Sequence, residues 1–320
     1  MNKALKKKIE AAIDKAILDF RENEDSIFFN KKDQLKYRFS VEKEIQNWKK
    51  MQTCIVKGCK NKSIERSHTI QKSNSLKLIS EEGHVLMPKM QNPEEVNIKQ
   101  IGINEASTFP GYCKDHERLF DDFENIKDFV SEEHIGLQIY RTICREIVLN
   151  ENHLKNIGLI KNRYLEFRSK KIGESILANL GTEASDPNLK FVDFKFKGSD
   201  YRLRMANDHE KTISEYLNNF LYKIHDAILN DLKKQKFQKT AFVAIRFDQI
   251  IPVALAGKGN FHIKLKGKIK NVEIIFNVLP TINGTYIFVS ALRKFKEELE
   301  VYMSQCQHPL LVINLVENWM

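Results

Sequence analysis

The sequence lacks long apolar runs. None of its apolar stretches approaches the roughly 20 residues that a transmembrane helix needs, so we expect no membrane partner. The first residues, MNKALKKKIE, are basic but lead into an amphipathic helical pattern, without the apolar core and cleavage site of a secretory signal. The cytoplasm is therefore the expected location.

Cysteine is also scarce. Five cysteines in 320 residues do not make a disulfide scaffold, and an odd number argues against a secreted one. Cys144 and Cys306 lie in segments with apolar periodicity, where we expect core thiols. The other three cysteines fall between positions 54 and 113, close to histidines.

Two common catalytic motifs are missing. The segment GKGN at 257–260 has neither the spacing nor the following helix start of a Walker-type phosphate loop. A serine nucleophile elbow does not occur either. We therefore expect no ATP-driven activity in this chain, and any motor or sensor would be another polypeptide.

Positive charge is present in excess. The formal net charge is +10, which suits a polyanionic partner because lysine and arginine contacts to phosphate release counterions. With 42% hydrophobic and 29% charged residues, the composition is that of a globular protein. A chain of 320 residues is long enough for two or three domains.

The apolar pattern predicts an α+β fold in which helices precede a mainly antiparallel sheet. Its expected segments are N-terminal helices over 1–50 (the second at about 33–50), a zinc module over 51–125, a helical region over 126–180, a linker at 181–188 and a C-terminal α+β domain over 189–320. In the first helix, Leu5, Ile9, Ile13, Ile17 and Phe20 share one face.

Within the C-terminal domain, the clearest helix covers 209–234, with His225 as a structural residue beside its apolar stripe. Before it, apolar and polar residues alternate on both sides of Gly198 in FVDFKFKGSDYRLRM, which predicts a hairpin. After it come four expected strands, AFVAIRF, FHIKLKGKIK, NVEIIFNVL and TYIFVSAL, with AGKGN and NG as turn signals. A helix at 291–304 and a strand, LLVINLV, close the chain.

The strongest chemical signal is a set of three cysteines and one histidine. Cys54 and Cys59 lie in one short segment around Gly58. This spacing suits a knuckle, a tight loop in which both thiolates point inward. Cys113 and His116 have the i, i+3 spacing that shares one face at a helix start. Zinc prefers four tetrahedral thiolate and imidazole ligands, so these four predict one structural zinc ion in a treble-clef arrangement.

This arrangement resembles the HNH endonucleases of the ββα-metal class, in the subset with a structural zinc ion. The resemblance covers 54–120, about a fifth of the chain. The sequence Ser67-His68-Thr69-Ile70 matches the strand that carries the catalytic histidine. The resemblance therefore implies that His68 is the general base that activates water against a scissile phosphate.

In that family a metal-binding histidine directly follows the last zinc ligand. Here Glu117 follows His116, so the resemblance implies that Glu117 holds a catalytic Mg²⁺ or Mn²⁺ ion. A carboxylate suits hard divalent cations, and such an ion would steady the leaving oxygen. The other reading is a helix-start carboxylate favoured by the helix dipole.

The sequence departs from the family pattern in three places. Ser67 replaces the usual acidic residue or histidine. Thr108 stands five residues before the third cysteine, where an asparagine is expected; Asn104 and Asn74 are the alternatives. The insert after the catalytic strand is long and contains His84, which could supply a second imidazole near the metal or be a loop histidine.

Several basic side chains are candidate phosphate contacts, with a solvated surface as the alternative: Arg66, Lys72 and Lys77. A second set lies in HIKLKGKIK, where alternation on one strand would place His262, Lys264, Lys266, Lys268 and Lys270 on one face. Such a face would contact the phosphates of a nucleic-acid backbone without making base-specific contacts. Edge strands also carry lysine simply to prevent aggregation.

The sequence thus favours a metal-dependent HNH-like endonuclease that acts on DNA. The cysteine–histidine pattern also resembles that of bacterial phage-defence proteins, so the resemblance implies an antiviral effector. The alternative is a non-catalytic zinc-stabilised module that binds nucleic acid or protein in a larger complex. A protein partner that supplies sensing or regulation, and a homo-oligomer, both stay open.

Overall fold

The computed structural model has a mixed α+β architecture, as expected, and describes residues 3–22, 52–92, 95–185 and 200–304. The predicted helix at 33–50, the thiol of Cys306 and the strand LLVINLV lie outside these residues. In the described part of the chain, no helix is both long and apolar enough to cross a membrane.

The chain divides into two compact units. One combines Met1–Trp48 with Asn152–Ser214, and the other combines Lys49–Glu151 with Glu215–Met320. This division cuts across the four segments expected from the sequence, because residues Glu132–Leu180 form a single long helix whose two parts belong to different units. Whether any of the four segments folds by itself stays a prediction.

In the first unit, helix α1 (Lys3–Glu22) buries Ala12, Ala16 and Phe20. Ile9 and Ile13 of the predicted stripe are only partly buried there and pack against this core. The rest of this core is apolar and comes from the later segments: Tyr164, Ile172, Ile176, Leu180 and Leu203.

The predicted hairpin about Gly198 is wrong from Tyr201 onward, because a helix begins there; its earlier residues lie outside the described part. Asp200 explains the helix start, since its Oδ1 accepts a hydrogen bond at 2.9 Å from the backbone N–H of Leu203. The other oxygen, Oδ2, accepts from buried Arg168 at 2.5 Å.

The second unit begins with the segment that carries the candidate zinc ligands. Its strands are β1 (Ser67–His68), β2 (His84–Asn92), β3 (Glu95–Gly102) and β4 (Thr108–Phe109). Its short helices are α2 (Lys114–Glu117) and α3 (Asp121–Ile126), after which α4 (Glu132–Leu180) begins. β1 pairs with β4, and β2 pairs with β3, both antiparallel.

The helix predicted at 209–234 is present but starts earlier. It comprises α5 (Tyr201–Tyr216), a π-helical turn (Leu217–Leu221) and α6 (Tyr222–Lys234). His225 is buried and its ring lies 5.4 Å from that of Tyr140, centroid to centroid. This packing agrees with a structural role.

The C-terminal sheet has four antiparallel strands in the order β5-β8-β7-β6. They are β5 (Thr240–Phe247), β6 (Leu255–Leu265), β7 (Lys268–Thr281) and β8 (Gly284–Leu292). One sheet face packs Val272, Ile274 and Val289 against Leu299 and Met303 of the last helix. That helix, α7, covers Lys296–Ser304, which is shorter than predicted because β8 continues to Leu292.

Two turn assignments in this sheet were wrong. The segment AGKGN lies inside β6, where Gly257 pairs with Phe276 and leaves room for the Phe276 ring. The segment FHIKLKGKIK is not one strand but two, joined by Lys266 and Gly267 with φ values of 50° and 79°. Positive φ at both central residues is the geometry of a type I′ hairpin turn.

The lysines therefore do not share one face. Lys264 pairs with Ile269, and Leu265 pairs with Lys268, so Lys264 and Lys268 lie on opposite faces of the ribbon. Lys266 is at the turn, where its Nζ lies 2.9 Å from Oε1 of Glu297. The continuous basic face predicted for this segment is not present.

Gly284 in the β7–β8 turn should be far less replaceable than Gly267. A Cβ at Gly284, with φ 131°, would lie 2.1 Å from the Phe247 carbonyl oxygen, whereas one at Gly267 would meet nothing within 4 Å. We expect Gly284→Ala to destabilise the protein by more than about 2 kcal/mol and Gly267→Ala by about 1 kcal/mol. Thermal unfolding midpoints of the two variants would check this, and equal shifts would contradict it.

Candidate metal centre and adjoining cleft

The first ligand pair lies in a tight loop. The backbone N–H of Cys59 donates to the Val56 carbonyl at 3.0 Å, and Gly58 has φ +84°. That conformation favours glycine because it places a Cβ under strain. The N–H of Cys54 donates to the Asn61 carbonyl at 2.9 Å, so the loop closes as the knuckle expected from the sequence.

The second ligand pair lies at the start of α2. Cys113 has extended backbone angles directly before the helix, and its carbonyl accepts a hydrogen bond at 2.9 Å from the N–H of Glu117. His116 is three residues further on and therefore shares the helix face of Cys113. Local helix geometry thus aims both ligands in one direction.

The four side chains converge, with all ligand atoms within 4.8 Å of one another. Nδ1 of His116 lies 3.4 Å from Sγ of Cys54 and 3.3 Å from Sγ of Cys113. The sulfurs of Cys59 and Cys113 are 3.9 Å apart. A tetrahedral zinc ion with bonds of about 2.3 Å to sulfur and about 2.0 Å to nitrogen requires edges of about 3.5–3.8 Å.

The donor set therefore fits a structural zinc ion. Burial raises the pKa of the Cys54 thiol to about 11. The pKa of Cys113 is lowered to about 6, because hydrogen bonds from the backbone N–H groups of His116 and Asp115 outweigh the effect of burial. A bound cation would keep both sulfurs as thiolates, which is the form that binds metal.

The strand that carries His68 lies beside this centre. In the β1–β4 pair, Ser67 is opposite Phe109 and His68 is opposite Thr108, and α2 follows. Ser67 is buried and its Oγ accepts from the N–H of Tyr112 at 3.3 Å, so it ties the two segments together.

A cleft of about 490 Å³ opens next to these elements. Four residues singled out in the sequence for chemistry or phosphate contact line it, namely Arg66, His68, Lys72 and Glu117. The alternative asparagine, Asn104, lines it as well. Its lining residues are Arg66, His68, Lys72, Ser73, Asn104, Glu117, Glu124 and Arg141. The fold thus brings His68 and Glu117 into one cleft.

His68 is held in a defined orientation. Its Nε2 lies 3.2 Å from the Ile103 carbonyl oxygen, which can only accept, so Nε2 carries the proton and Nδ1 has the lone pair. Burial lowers the pKa of the ring, the Ile103 carbonyl partly offsets this, and the positive charges of Arg141 and Lys72 lower it further. His68 is therefore a neutral imidazole at neutral pH.

Glu117 is half-buried and paired with a cation. Its Oε1 accepts from Nη2 of Arg141 at 2.7 Å, and Nη1 of the same guanidinium donates to Oε1 of Glu124 at 2.5 Å. Two carboxylates and one guanidinium leave a formal charge of −1 in this group. Lys72 at the cleft donates from Nζ to Oδ1 of Asn104 at 3.2 Å.

Other residues proposed from the sequence lie elsewhere. His84 is exposed at the start of β2, where its Nδ1 donates to the Glu82 carbonyl at 2.9 Å, and it does not line the cleft. Asn74 is buried and donates to the Lys127 carbonyl at 2.8 Å. Lys264, Lys266 and Lys268 belong to the β6–β7 hairpin.

Sequence reasoning missed Glu124 and Arg141. Glu124 lies in α3, one of a run of acidic residues that reads as a solvated helix surface. Arg141 lies on α4 among the apolar residues Ile139, Tyr140 and Ile143, all of them buried. A charged residue inside an apolar stripe is the one signal that could have identified Arg141, since buried arginines require partners.

No protein-family model, no curated protein and no solved structure matches this chain. The interpretation of the cleft therefore depends on its own geometry and on the motif resemblance.

Zinc content should separate the cluster cysteines from the other buried thiol. We expect Cys54→Ser and Cys113→Ser to lower bound zinc from about one ion per chain to well below half, since each removes one of four ligands. Cys144→Ala should retain zinc because Cys144 is buried outside the cluster. Elemental analysis of the purified proteins checks this, and full zinc content in both serine variants would contradict the site.

Proposed function

We propose that this protein is a metal-dependent, HNH-like endonuclease that cleaves DNA phosphodiester bonds. The observation that supports it most is that His68 and Glu117, matched to the family's catalytic positions, line one cleft with the basic residues Arg66 and Lys72. A nuclease site needs a base, a place for a divalent cation and a place for phosphate.

In this proposal His68 is the general base. Nδ1 takes a proton from the attacking water, and the charge that develops on the ring is stabilised through the Nε2–H bond to the Ile103 carbonyl. The same hydrogen bond prevents the ring from rotating, so Nδ1 stays available. A lowered pKa keeps the imidazole unprotonated and ready to accept.

Glu117 would hold a Mg²⁺ or Mn²⁺ ion. Oε2 of Glu117 is buried and makes no hydrogen bond among the described residues, so it lacks the partner that a buried polar atom needs. The group with Glu124 and Arg141 retains a negative charge. Magnesium is commonly bound by one or two carboxylates, with waters and substrate phosphate as its other ligands. Such an ion stabilises the leaving oxygen and the added charge on the phosphate.

The substrate class follows from charge. Arg66 and Lys72 lie at the cleft, and the chain carries a net charge of +10, so a polyanion is the fitting ligand. DNA is proposed on the family resemblance. On the same resemblance we extend the proposal to antiphage defence in the cytoplasm, with sensing by a partner protein or by assembly of several copies.

Replacing His68 should abolish cleavage without loss of zinc. We expect His68→Ala to lower the rate of Mg²⁺- or Mn²⁺-dependent plasmid nicking by at least about 100-fold. The matched control is His84→Ala, which removes an exposed imidazole outside the cleft and should nick at the wild-type rate. Gel assays of supercoiled DNA, with zinc measured on the same samples, provide the comparison.

Two results would go against this. Unchanged nicking by His68→Ala would remove His68 from the mechanism. Salt-sensitive DNA binding by the wild-type protein, with no cleavage under any divalent ion, would favour the non-catalytic zinc-stabilised binding module instead.

The nuclease should remain active below the pH at which an ordinary histidine base fails. Because the pKa of His68 lies below the usual imidazole value of about 6.5, the ring is still unprotonated under mildly acidic conditions. The acid limb of kcat/KM against pH should therefore lie below about pH 6.5.

Lys72 provides the control for this pH dependence. Its positive charge lowers the pKa of His68, so Lys72→Gln should raise that pKa and move the acid limb to higher pH. Lys72→Arg keeps the charge and should leave the limb in place. An acid limb that does not move in Lys72→Gln would show that another group titrates.

A further inference from the structure

Arg141 is a buried cation outside the ββα unit. It lies on α4, its side chain is 1% exposed, and its guanidinium carbon lies 4.3 Å from the ring centroid of Phe120. Burial alone would lower its pKa, but the carboxylates of Glu124 and Glu117 raise it instead. Arg141 is therefore charged and fixed on three sides.

Stability alone is a weak reason for such a residue. Replacing all members of a buried ion-pair group by apolar side chains of similar volume is often neutral or stabilising. Arg141 also lines the cleft that contains His68. Its guanidinium bridges two carboxylates, and only one of them, Glu117, follows directly after a zinc ligand.

We propose that Arg141 is a positioning residue for the candidate nuclease site: anchored by Glu124, its guanidinium fixes the orientation of the Glu117 carboxylate. This inference rests on the nuclease proposed above. Nη2 of Arg141 donates to Oε1 of Glu117 at 2.7 Å, and Oε2 is buried and makes no hydrogen bond among the described residues. Bridging by Arg141 thus selects which carboxylate oxygen is left for a ligand.

The contacts form a chain from one carboxylate to the other. Glu124 accepts from Nη1 at 2.5 Å, and Phe120 packs against the guanidinium, so the directions of the N–H groups on Nη2 are fixed. Arginine suits this task because its donors are rigidly spaced, whereas a lysine ammonium is a single point charge. The site is therefore completed by a residue of α4.

Two full-length variants keep the formal charge of this group at −1 while removing the bridge. Arg141→Lys retains a cation with one donor group, and Arg141→Gln combined with Glu124→Gln removes one charge of each sign. The second variant places no charge at the buried position 141, so it should fold even where the first does not. Because the group has the same formal charge in these variants as in the wild type, a change in their cleavage rate reports on positioning and not on electrostatic attraction of the metal ion.

For each variant, plasmid nicking is measured at increasing Mn²⁺, and the maximal rate is compared with the Mn²⁺ concentration at half-maximal rate. Positioning predicts a maximal rate lowered by about 10–100-fold, since small misplacements of catalytic groups have effects of that size. The half-saturating Mn²⁺ concentration should change by less than about threefold. Zinc content and the thermal midpoint should match the wild type.

Each outcome decides something. Charge-matched variants that nick at the wild-type rate would overturn the positioning role and leave the nuclease intact. A parallel loss of rate, Mn²⁺ response, zinc and thermal stability in both variants would make Arg141 a structural ion-pair residue only. A wild-type protein that does not cut DNA would refute the nuclease and, with it, any role of Arg141 in that reaction.

Discussion

The constraint on which the candidate site depends is the convergence of Cys54, Cys59, Cys113 and His116 on one point. Cys113 and His116 face that point from the start of α2, and successive helical residues are rotated by roughly 100°. Glu117, the next residue, is rotated by that angle from His116, so its direction is fixed relative to the metal centre. Helix α2 has only four residues and is too short to be stable alone. A bound ion would fix the rotation of this helix and thereby the position of the Glu117 carboxylate.

His68 needs a different support, because β1 and β4 are only two residues long each. The Ile103 carbonyl orients its ring. Behind the strand, Nε2 of Gln138 donates to the Thr69 carbonyl at 3.0 Å and to Oδ1 of Asn277 at 3.2 Å. Helix α4 and strand β7 thus stabilise the strand that carries His68. We infer that the cleft depends on the C-terminal sheet for its shape.

Local patterns could be read from the sequence, and long-range contacts could not. The knuckle and the i, i+3 ligand pair are short spacings whose geometry follows from turns and helices. Arg141 and Glu124 are separated by 17 residues and meet only through tertiary packing. The two-strand division of FHIKLKGKIK was missed because a non-glycine residue, Lys266, adopts positive φ. At position 200, one helix-capping aspartate overrode an alternating pattern that favoured a hairpin.

Carboxylates pair with cations on both surfaces that the sequence suggested for phosphate contact. In the β6–β7 hairpin, Lys266 pairs with Glu297 and Lys270 pairs with Glu298, so acidic residues of α7 neutralise part of its charge. In the cleft, Arg141 pairs with Glu117 and Glu124, and Arg66 lies 3.7 Å from Oε1 of Glu105. Lys72 donates to the uncharged Asn104, so its positive charge is not neutralised by that contact. In the nuclease proposed above, Lys72 is therefore the cleft residue best suited to attract phosphate.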